Sequence, residues 1–338
     1  MKAIALTRYL PIDDPESLQD VELPTPVASG FDVLVRVEAI SVNPVDTKIR
    51  SPKPQVETQP KVLGYDAAGV VEAVGEHVSL FQPGDEVYYA GDVTRSGSNA
   101  QLHLVDERLV GRKPTTLDFA QAAALPLTTI TAWELLFDRM PYSIDMEGNT
   151  RTLLVIAGAG GVGSIAIQLA RHAGFTVIAT ASRAETIDWC KAMGADHVID
   201  HRQPLAPQLA TLGFAQVDAV LNLADTDRYW DAIGEIIAPL GHVGLIVEPT
   251  GLLKIGDPYK AKSVGMHWEM MFARPRFNTP DMIEQHRLLN RVASLVDAGA
   301  LRTTHTETLG TINATNVREA HRRLESGTTI GKLVLAGW

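Results

Sequence analysis

The chain has 338 residues, of which 45% are hydrophobic and 21% are charged, a composition that is typical of a globular protein and excludes a disordered one. Its 30 Lys and Arg against 40 Asp and Glu give a formal net charge of -10. Nucleic acids and anionic membranes need a basic surface, so we expect neither as a partner. The single cysteine, Cys190, excludes an internal disulfide and a zinc site built from several thiolates.

The N-terminus predicts no targeting segment. The apolar run in MKAIALTRYLPIDDPE is too short for a secretory signal peptide, and acidic residues follow at once. No stretch approaches the ~20 apolar residues of a transmembrane helix. The sequence therefore predicts a cytoplasmic protein.

Short apolar runs separated by Gly and Pro turns occupy the first 124 residues and are typical of a β-rich domain. The predicted strands are 33–39, 67–74, 85–89 and 100–105. The proline-rich segment 51–60, SPKPQVETQP, predicts a loop.

From about residue 125 the pattern changes to strands that alternate with helices, which predicts a parallel sheet covered on both faces. The predicted strands are 152–157, 176–181, 197–199, 217–221 and 242–247, and the clearest helix is 163–172. Near the C-terminus, residues 282–299 predict an amphipathic helix and residues 331–335 a final strand.

A glycine-rich turn follows the first of these parallel strands. Gly158, Gly160 and Gly163 fit GxGxxG between a strand and a helix, which is the context that a dinucleotide-binding turn requires. The first glycine permits the tight turn, the second lets a pyrophosphate approach the backbone, and the third brings the helix close to the strand. The alternative is a plain strand–helix turn. The predicted phosphate contacts are Gly158, Ala159, Gly160, Gly161, Val162 and Gly163.

The end of the second strand bears on the choice of nucleotide. An NAD enzyme usually places Asp or Glu there to bind the ribose 2′-hydroxyl, but this strand ends in Ser182 and Arg183. Both can bind a 2′-phosphate, which a carboxylate would repel, so the sequence favours NADPH. The alternative is that the two residues only begin the next helix, with Ser182 as its N-cap and Glu185 three residues on.

Seven segments in this order resemble the medium-chain dehydrogenase/reductase superfamily, and within it the zinc-independent quinone oxidoreductase branch with the zinc-type alcohol dehydrogenase-like proteins. They are SVNPVD (41–46), GYDAAGVV (64–71), PGDEV (83–87), GSNA (97–100), AGAGGVG (157–163), GADHVID (194–200) and GKLVL (331–335). The resemblance implies an α/β fold in which a β-rich GroES-like catalytic domain accompanies a Rossmann domain with a doubly wound parallel sheet. The expected domain bounds are 1–124 for the first part of the catalytic domain and 125–272 for the Rossmann domain. Residues 273–338 are expected to return to the catalytic domain.

The resemblance also allows the zinc-ligand positions of relatives to be compared with this chain. Zinc-dependent relatives hold a catalytic ion with a Cys, a His and a second Cys, at positions that correspond here to Asn43, Tyr65 and a residue near Leu127. No thiolate or imidazole stands at these places, and the four-cysteine structural zinc lobe is missing. We expect no bound metal.

Without a Lewis acid, hydride addition to a conjugated acceptor is easier than alcohol oxidation. The expected activity is NADPH-dependent reduction of a quinone or an α,β-unsaturated carbonyl. The resemblance places Asn43, Tyr65 and Thr131 near the nicotinamide and the substrate. Each of two residues has a structural alternative to a role in the site. Asn43 would be an Asn-Pro turn residue that bonds its own backbone, and Tyr65 would be a core residue whose hydroxyl has a hydrogen-bond partner.

Further contacts follow from the same resemblance. Cofactor contacts are expected from residues after the third, fourth and fifth parallel strands, namely His201, Leu223, Ala224 and Val247. Segment 263–272, rich in Met and aromatic residues, resembles the edge strand through which relatives form homodimers; its alternative is a buried sixth strand. Two other functions stay open: an enoyl-thioester reductase, and an NADPH-binding sensor or structural protein with little turnover.

Overall fold

A computed structural model describes all 338 residues. Residue contacts divide the chain into two units, one formed by Met1–Ile130 with Phe272–Trp338 and the other by Thr131–Met271. The domain bounds expected from the sequence, after residues 124 and 272, stay predictions. None of the helices combines the length and the apolar character that crossing a lipid bilayer requires.

The first unit contains ten strands in two sheets. The strands are β1 (Lys2–Tyr9), β2 (Gln19–Glu22), β3 (Asp32–Ser41), β4 (Lys53–Val62), β5 (Ala67–Val74), β6 (Glu86–Tyr89), β7 (Leu102–Asp106), β8 (Val110–Arg112), β15 (His305–Thr308) and β16 (Lys332–Ala336). One sheet has the order β2-β1-β4, and the other has the order β15-β16-β3-β5-β6-β8 with β7 paired to β3.

The core of this unit follows from alternation along its strands. On β3, Val33, Val35 and Val37 are buried on one face of the sheet. Val317 and Ala320 from a helix near the C-terminus join the same apolar cluster. The helices of this unit are α1 (Pro44–Arg50), α2 (Phe119–Ala123), α8 (Ala273–Phe277), α9 (Glu284–Asp297) and α10 (Ala314–Glu325), and α3 (Pro126–Trp133) contains residues of both units.

The loop prediction for residues 51–60 is wrong, because this segment forms most of strand β4. β4 is an edge strand that pairs only with β1, with two register shifts along the pair. Proline lacks a backbone donor and is tolerated at a sheet edge, where one side of the strand needs no partner. Pro54 and Pro60 therefore suggest a loop in the sequence, although they lie in a strand whose side chains are mostly exposed.

The second unit contains a six-stranded sheet in the order β11-β10-β9-β12-β13-β14, and every pair in it is parallel. The strands are β9 (Thr152–Ile156), β10 (Thr176–Thr180), β11 (His197–Ile199), β12 (Val217–Asn222), β13 (Ile237–Leu245) and β14 (Gly265–Trp268). The helices are α4 (Gly161–His172), α5 (Ala184–Ala192), α6 (Leu205–Thr211) and α7 (Thr226–Ile236), and a π-helical segment covers Glu134–Arg139.

Counted within this unit, the strand order is 3-2-1-4-5-6, which is the order of the Rossmann fold. All five residues of β9 are buried, as expected for a central strand with helices on both faces. The predicted doubly wound sheet is confirmed, although β13 begins at Ile237, five residues before its predicted start at His242. The carboxyl ends of all six strands lie at one edge, where dinucleotides bind in this fold.

Candidate active site

The turn after β9 is the predicted phosphate-binding segment. Ala157 has a φ of 65°, in the left-handed region, and opens a tight turn into α4. Thr180 on β10 holds this turn, since its Oγ1 accepts from the Ala157 N–H at 3.0 Å and its carbonyl from the Gly158 N–H at 3.1 Å. The structure therefore places residues 158–163 at the corner between a central strand and a helix N-terminus.

The three glycines of the motif differ in their surroundings. A Cβ at Gly163 would lie 2.4 Å from the carbonyl oxygen of Ala157, and a Cβ at Gly158 would lie 2.8 Å from the Cβ of Ala179, so the fold itself excludes both. A Cβ at Gly160 would meet nothing closer than 3.4 Å. Gly160 is the N-cap of α4, whose first N–H groups lack partners within the helix. This combination suits a bound phosphate.

The end of β10 leads into α5. Arg183, and not Ser182, is the N-cap residue of α5, and its N–H donates to Thr186 Oγ1 at 3.1 Å. The predicted capping role of Ser182 is therefore wrong. Arg183 Nε lies 3.2 Å from Glu185 Oε1, and 40% of the Arg183 side chain is exposed, so its guanidinium can still reach a ligand.

Two further arginines lie at this corner, and no sequence motif marks either of them. Arg202 follows β11 and donates to the Ser182 carbonyl at 3.0 Å, while Arg228 donates to the carbonyl of His201 at 3.4 Å. Arg202 also pairs with Asp200 and lowers the pKa of that carboxyl to about 2. Burial lowers the pKa of the His201 imidazole, and both arginines lower it further. Three arginines therefore lie at this corner, and Glu185 and Asp200 balance the charges of two of them.

The remaining predicted cofactor contacts follow the strands of the second half of the sheet. Leu223 and Ala224 come directly after β12 and are half-buried. Val247 follows β13, and its carbonyl accepts from Thr226 Oγ1 at 2.5 Å. These three residues lie at the same edge as the glycine turn because the strands are parallel.

In the first unit, the positions that correspond to zinc ligands in relatives meet around Asp66. Asn43 Nδ2 donates to Asp66 Oδ2 at 2.8 Å, and the Leu127 N–H donates to Asp66 Oδ1 at 2.7 Å. Lys332 from β16 lies 2.9 Å from Asp66 Oδ2 and also donates to Asn43 Oδ1. Asn43, Asp66 and Lys332 are all at most 3% exposed, so this is a buried ion pair with its polar groups bonded.

Asp46, on α1, completes this buried cluster. Its Oδ2 accepts from the Asn43 N–H at 2.7 Å, while its Oδ1 has no partner. Burial raises the pKa of Asp46 to about 7, and the Asn43 N–H and Lys332 oppose that rise. Burial likewise raises the pKa of Asp66, and Lys332 opposes that rise most strongly.

Asn43 and Tyr65 both occupy the buried interior of the first unit. Asn43 caps α1 ahead of Pro44, and its side-chain amide also bonds to Asp66, Lys332 and the Tyr65 carbonyl. Tyr65 is 1% exposed and packs edge-on against Phe272, with 5.3 Å between the two ring centroids. Its hydroxyl has no hydrogen-bond partner, so the alternative of a core tyrosine with a satisfied hydroxyl does not hold.

Burial and the nearby carboxylates Asp46 and Asp92 raise the pKa of the Tyr65 phenol well above its ordinary value. The phenol therefore stays protonated and can donate. Thr131 is a buried residue of α3, in the second unit. No three His, Cys, Asp or Glu side chains lie together in an arrangement that could hold a metal ion.

Comparison with known proteins covers both units. Residues 29–122 match the family of alcohol dehydrogenase GroES-like domains, and residues 193–335 match the family of zinc-binding dehydrogenases. A zinc-type alcohol dehydrogenase-like protein of Staphylococcus aureus (strain Mu50 / ATCC 700699) is 42% identical over 339 residues, which cover 99% of each chain.

Two solved structures extend the comparison to three dimensions. A protein from Rhizobium etli CFN 42, which carries the provisional name of a zinc-dependent alcohol dehydrogenase, is 53% identical with a TM-score of 0.95, covering 100% of this chain and 98% of its own. Escherichia coli quinone oxidoreductase, solved in complex with NADPH, is 26% identical with a TM-score of 0.81, covering 99% of this chain and 100% of its own.

Proposed function

The chain belongs to the medium-chain dehydrogenase/reductase superfamily, and on that basis we propose that this oxidoreductase transfers hydride from NADPH to a quinone or an α,β-unsaturated carbonyl without a metal ion. The observation that carries the proposal is the glycine turn. Its middle glycine stands at a helix N-terminus, where a Cβ would make only an ordinary contact at 3.4 Å, so the fold does not need a glycine there. A pyrophosphate that approaches the backbone explains this choice of residue.

The preference for NADPH over NADH is supported by the charge at the end of β10. Ser182 and Arg183 occupy the place where an acidic residue would bind a ribose 2′-hydroxyl. The guanidinium of Arg202, which pairs with Asp200 and donates to the Ser182 carbonyl, lies beside them. Hydroxyl and guanidinium groups donate hydrogen bonds to a 2′-phosphate, whereas an acid at the end of the strand would repel it.

The residues around Asp66 do not fit a zinc ion. An amide, a phenol and an aliphatic side chain stand at the three ligand positions, where zinc requires thiolates, imidazoles or carboxylates. Asp66, at their centre, already pairs with the ammonium of Lys332, whose positive charge repels a cation, and Asp46 alone supplies too few ligands for zinc. The zinc in the names of relatives is therefore not carried over to this chain.

A conjugated acceptor suits a site without a metal. When bound, the reduced nicotinamide would supply the hydride. A quinone or an enone spreads the incoming charge onto its own oxygen, so that hydrogen-bond donors can stabilise it. Tyr65 is our candidate donor because its protonated hydroxyl is buried and lacks a partner. Asn43 is held by Lys332 and Asp66, and we propose that it and Thr131 position the nicotinamide.

We also propose a homodimer that forms through β14. This strand is the last of its sheet, so one side of its backbone is unpaired. Met266, Trp268 and Met270 are 36%, 50% and 48% exposed, which is unusual for apolar residues beside a sheet edge. We expect Trp268→Glu to convert a dimer to a monomer in sedimentation analysis. The cytoplasmic location expected from the sequence stays a prediction.

Steady-state NADPH oxidation with a panel of quinones, enones and enoyl thioesters tests the proposal. We expect saturable turnover with a quinone or an enone, unchanged by a chelator, and no stoichiometric metal by elemental analysis. Tyr65→Phe removes only the hydroxyl and should lower kcat by about 10²-fold while NADPH binding is kept. Preference for a thioester would identify an enoyl-thioester reductase, and tight NADPH binding with no turnover would identify a sensor or structural protein.

A further inference from the structure

Asn222 is a buried polar residue at the nucleotide-binding edge of the parallel sheet. It is the last residue of β12, pairs in register with Ile156 on β9 and Leu245 on β13, and is 0% exposed. Ile156 is the last residue before the glycine turn, so Asn222 stands at the level of that turn. It also stands at the point between β9 and β12 where the strand order reverses and a dinucleotide crosses the sheet.

The orientation of the Asn222 amide is fixed by one hydrogen bond. Its Oδ1 accepts from the Ala224 N–H at 3.3 Å, so the oxygen faces the backbone and the NH₂ group faces away from it. That Nδ2 has no hydrogen-bond partner, although it is buried. An unpaired buried donor is costly and is usually satisfied by some partner.

Neighbouring structure does not need this donor. Helix α7 begins four residues later and is capped by Asp225, whose side chain accepts from the Arg228 N–H at 3.0 Å. An N–H donor contributes nothing to a helix N-terminus, where the unsatisfied groups are themselves donors. The unpaired amide therefore points to an acceptor that the chain itself does not supply.

We infer that the Asn222 side-chain amide donates a hydrogen bond to a phosphate or hydroxyl oxygen in the nicotinamide half of the bound dinucleotide; this inference rests on the proposed function. A Rossmann sheet consists of two mononucleotide-binding halves, and β12 is the first strand of the second half. The glycine turn and the ends of β10 and β11 serve the adenosine half. Asn222 therefore stabilises both NADPH and NADH and does not distinguish between them.

Titration calorimetry on the full chain tests this with Asn222→Leu, which is close in size, and Asn222→Asp, which keeps the acceptor for Ala224. The ligands are NADPH, NADH and adenosine 2′,5′-bisphosphate, which carries only the adenosine half. We expect Asn222→Leu to raise the Kd of both cofactors by the same factor, about five- to tenfold, and Asn222→Asp to raise both at least as much, because its carboxylate would repel a phosphate. The Kd of the bisphosphate should stay within twofold.

Thermal denaturation without ligand supplies a second readout. Asn222→Leu removes the unpaired donor and loses only the 3.3 Å acceptor bond to Ala224, so the Tm should change little, whereas a purely structural asparagine would lower it when replaced. Val220→Ala, a buried core change on the same strand, is the control and should lower the Tm while the Kd of NADPH stays within twofold.

Three results would overturn the inference: unchanged Kd for both cofactors in folded variants, an equal loss for the bisphosphate, or a Tm of Asn222→Leu that falls as far as that of Val220→Ala. A native chain that binds neither cofactor would instead overturn the proposed function, and this inference with it.

Discussion

Replacing the glycines of the turn one at a time separates their contribution to folding from their contribution to binding. Gly160 has a φ of −73° and a ψ of 173°, which alanine adopts without strain, and a Cβ there meets nothing closer than 3.4 Å. Alanine is a poorer N-cap than glycine but also lowers the entropy of the unfolded chain. These effects oppose each other, so Gly160→Ala should change the free energy of unfolding by less than about 1 kcal/mol.

Gly163→Ala differs because its Cβ would lie 2.4 Å from the Ala157 carbonyl oxygen and 2.7 Å from that of Gly158. Both neighbours are backbone atoms, so the turn itself must open. Such overpacking costs about 1–3 kcal/mol, and the displaced turn should also bind a phosphate poorly.

Thermal denaturation without ligand and calorimetry with NADPH measure the two effects separately. For Gly160→Ala we expect native stability and a Kd for NADPH that is raised at least about tenfold, which is 1.4 kcal/mol, because the methyl group takes the space of the pyrophosphate. For Gly163→Ala we expect a lower stability and a weaker binding of NADPH. Native affinity in a folded Gly160→Ala chain would refute the reasoning, as would equal destabilisation by the two changes.

Three more predictions concern charge. Arg183→Ala should raise the Kd for NADPH about tenfold and that for NADH less than twofold, because only NADPH carries the 2′-phosphate; equal changes in a calorimetric titration would refute this role. Lys332→Met leaves the buried Asp66 carboxylate unpaired and should cost about 3–5 kcal/mol in denaturant unfolding, with part recovered by adding Asp66→Asn; a loss below about 1 kcal/mol would contradict the ion pair. Burial, with Arg50 beside it, lowers the pKa of His321 to about 3 in the folded chain. The unfolded chain binds this proton below its pKa of about 6.5, whereas the folded chain does not. The free energy of unfolding therefore decreases as the pH is lowered, by about 2 kcal/mol from pH 7 to pH 5. His321→Gln should remove that part of the pH dependence in denaturant titrations at the two pH values; a variant as pH-sensitive as the native chain, or an equal effect of His77→Gln on the surface, would contradict it.

The parallel sheet was predictable because its strands are buried on both faces and appear as continuous apolar runs. The sheet is confirmed, and the glycine turn lies between β9 and α4 as its pattern predicted, while its phosphate-binding role stays a prediction. Strand β4 was missed for the opposite reason. Its side chains are mostly exposed and its prolines suit only an edge, so neither hydrophobicity nor periodicity marks it.

The ion pair between Asp66 and Lys332 had no local signal. The two residues are 266 positions apart, and only the pairing of β16 with β3 brings them together. Arg202 and Arg228 were missed because an exposed arginine beside a nucleotide site has the same sequence appearance as one in solvent. Asn222 was missed because what distinguishes it is an unsatisfied donor, and that can be recognised only when its surroundings are known.

Calorimetric titration of the native chain with NADPH and with NADH tests the central claim most directly. The account predicts one NADPH bound per chain, with a Kd at least about tenfold below that of NADH, because the 2′-phosphate meets an arginine in place of a carboxylate. A chain that binds neither nucleotide would contradict the account.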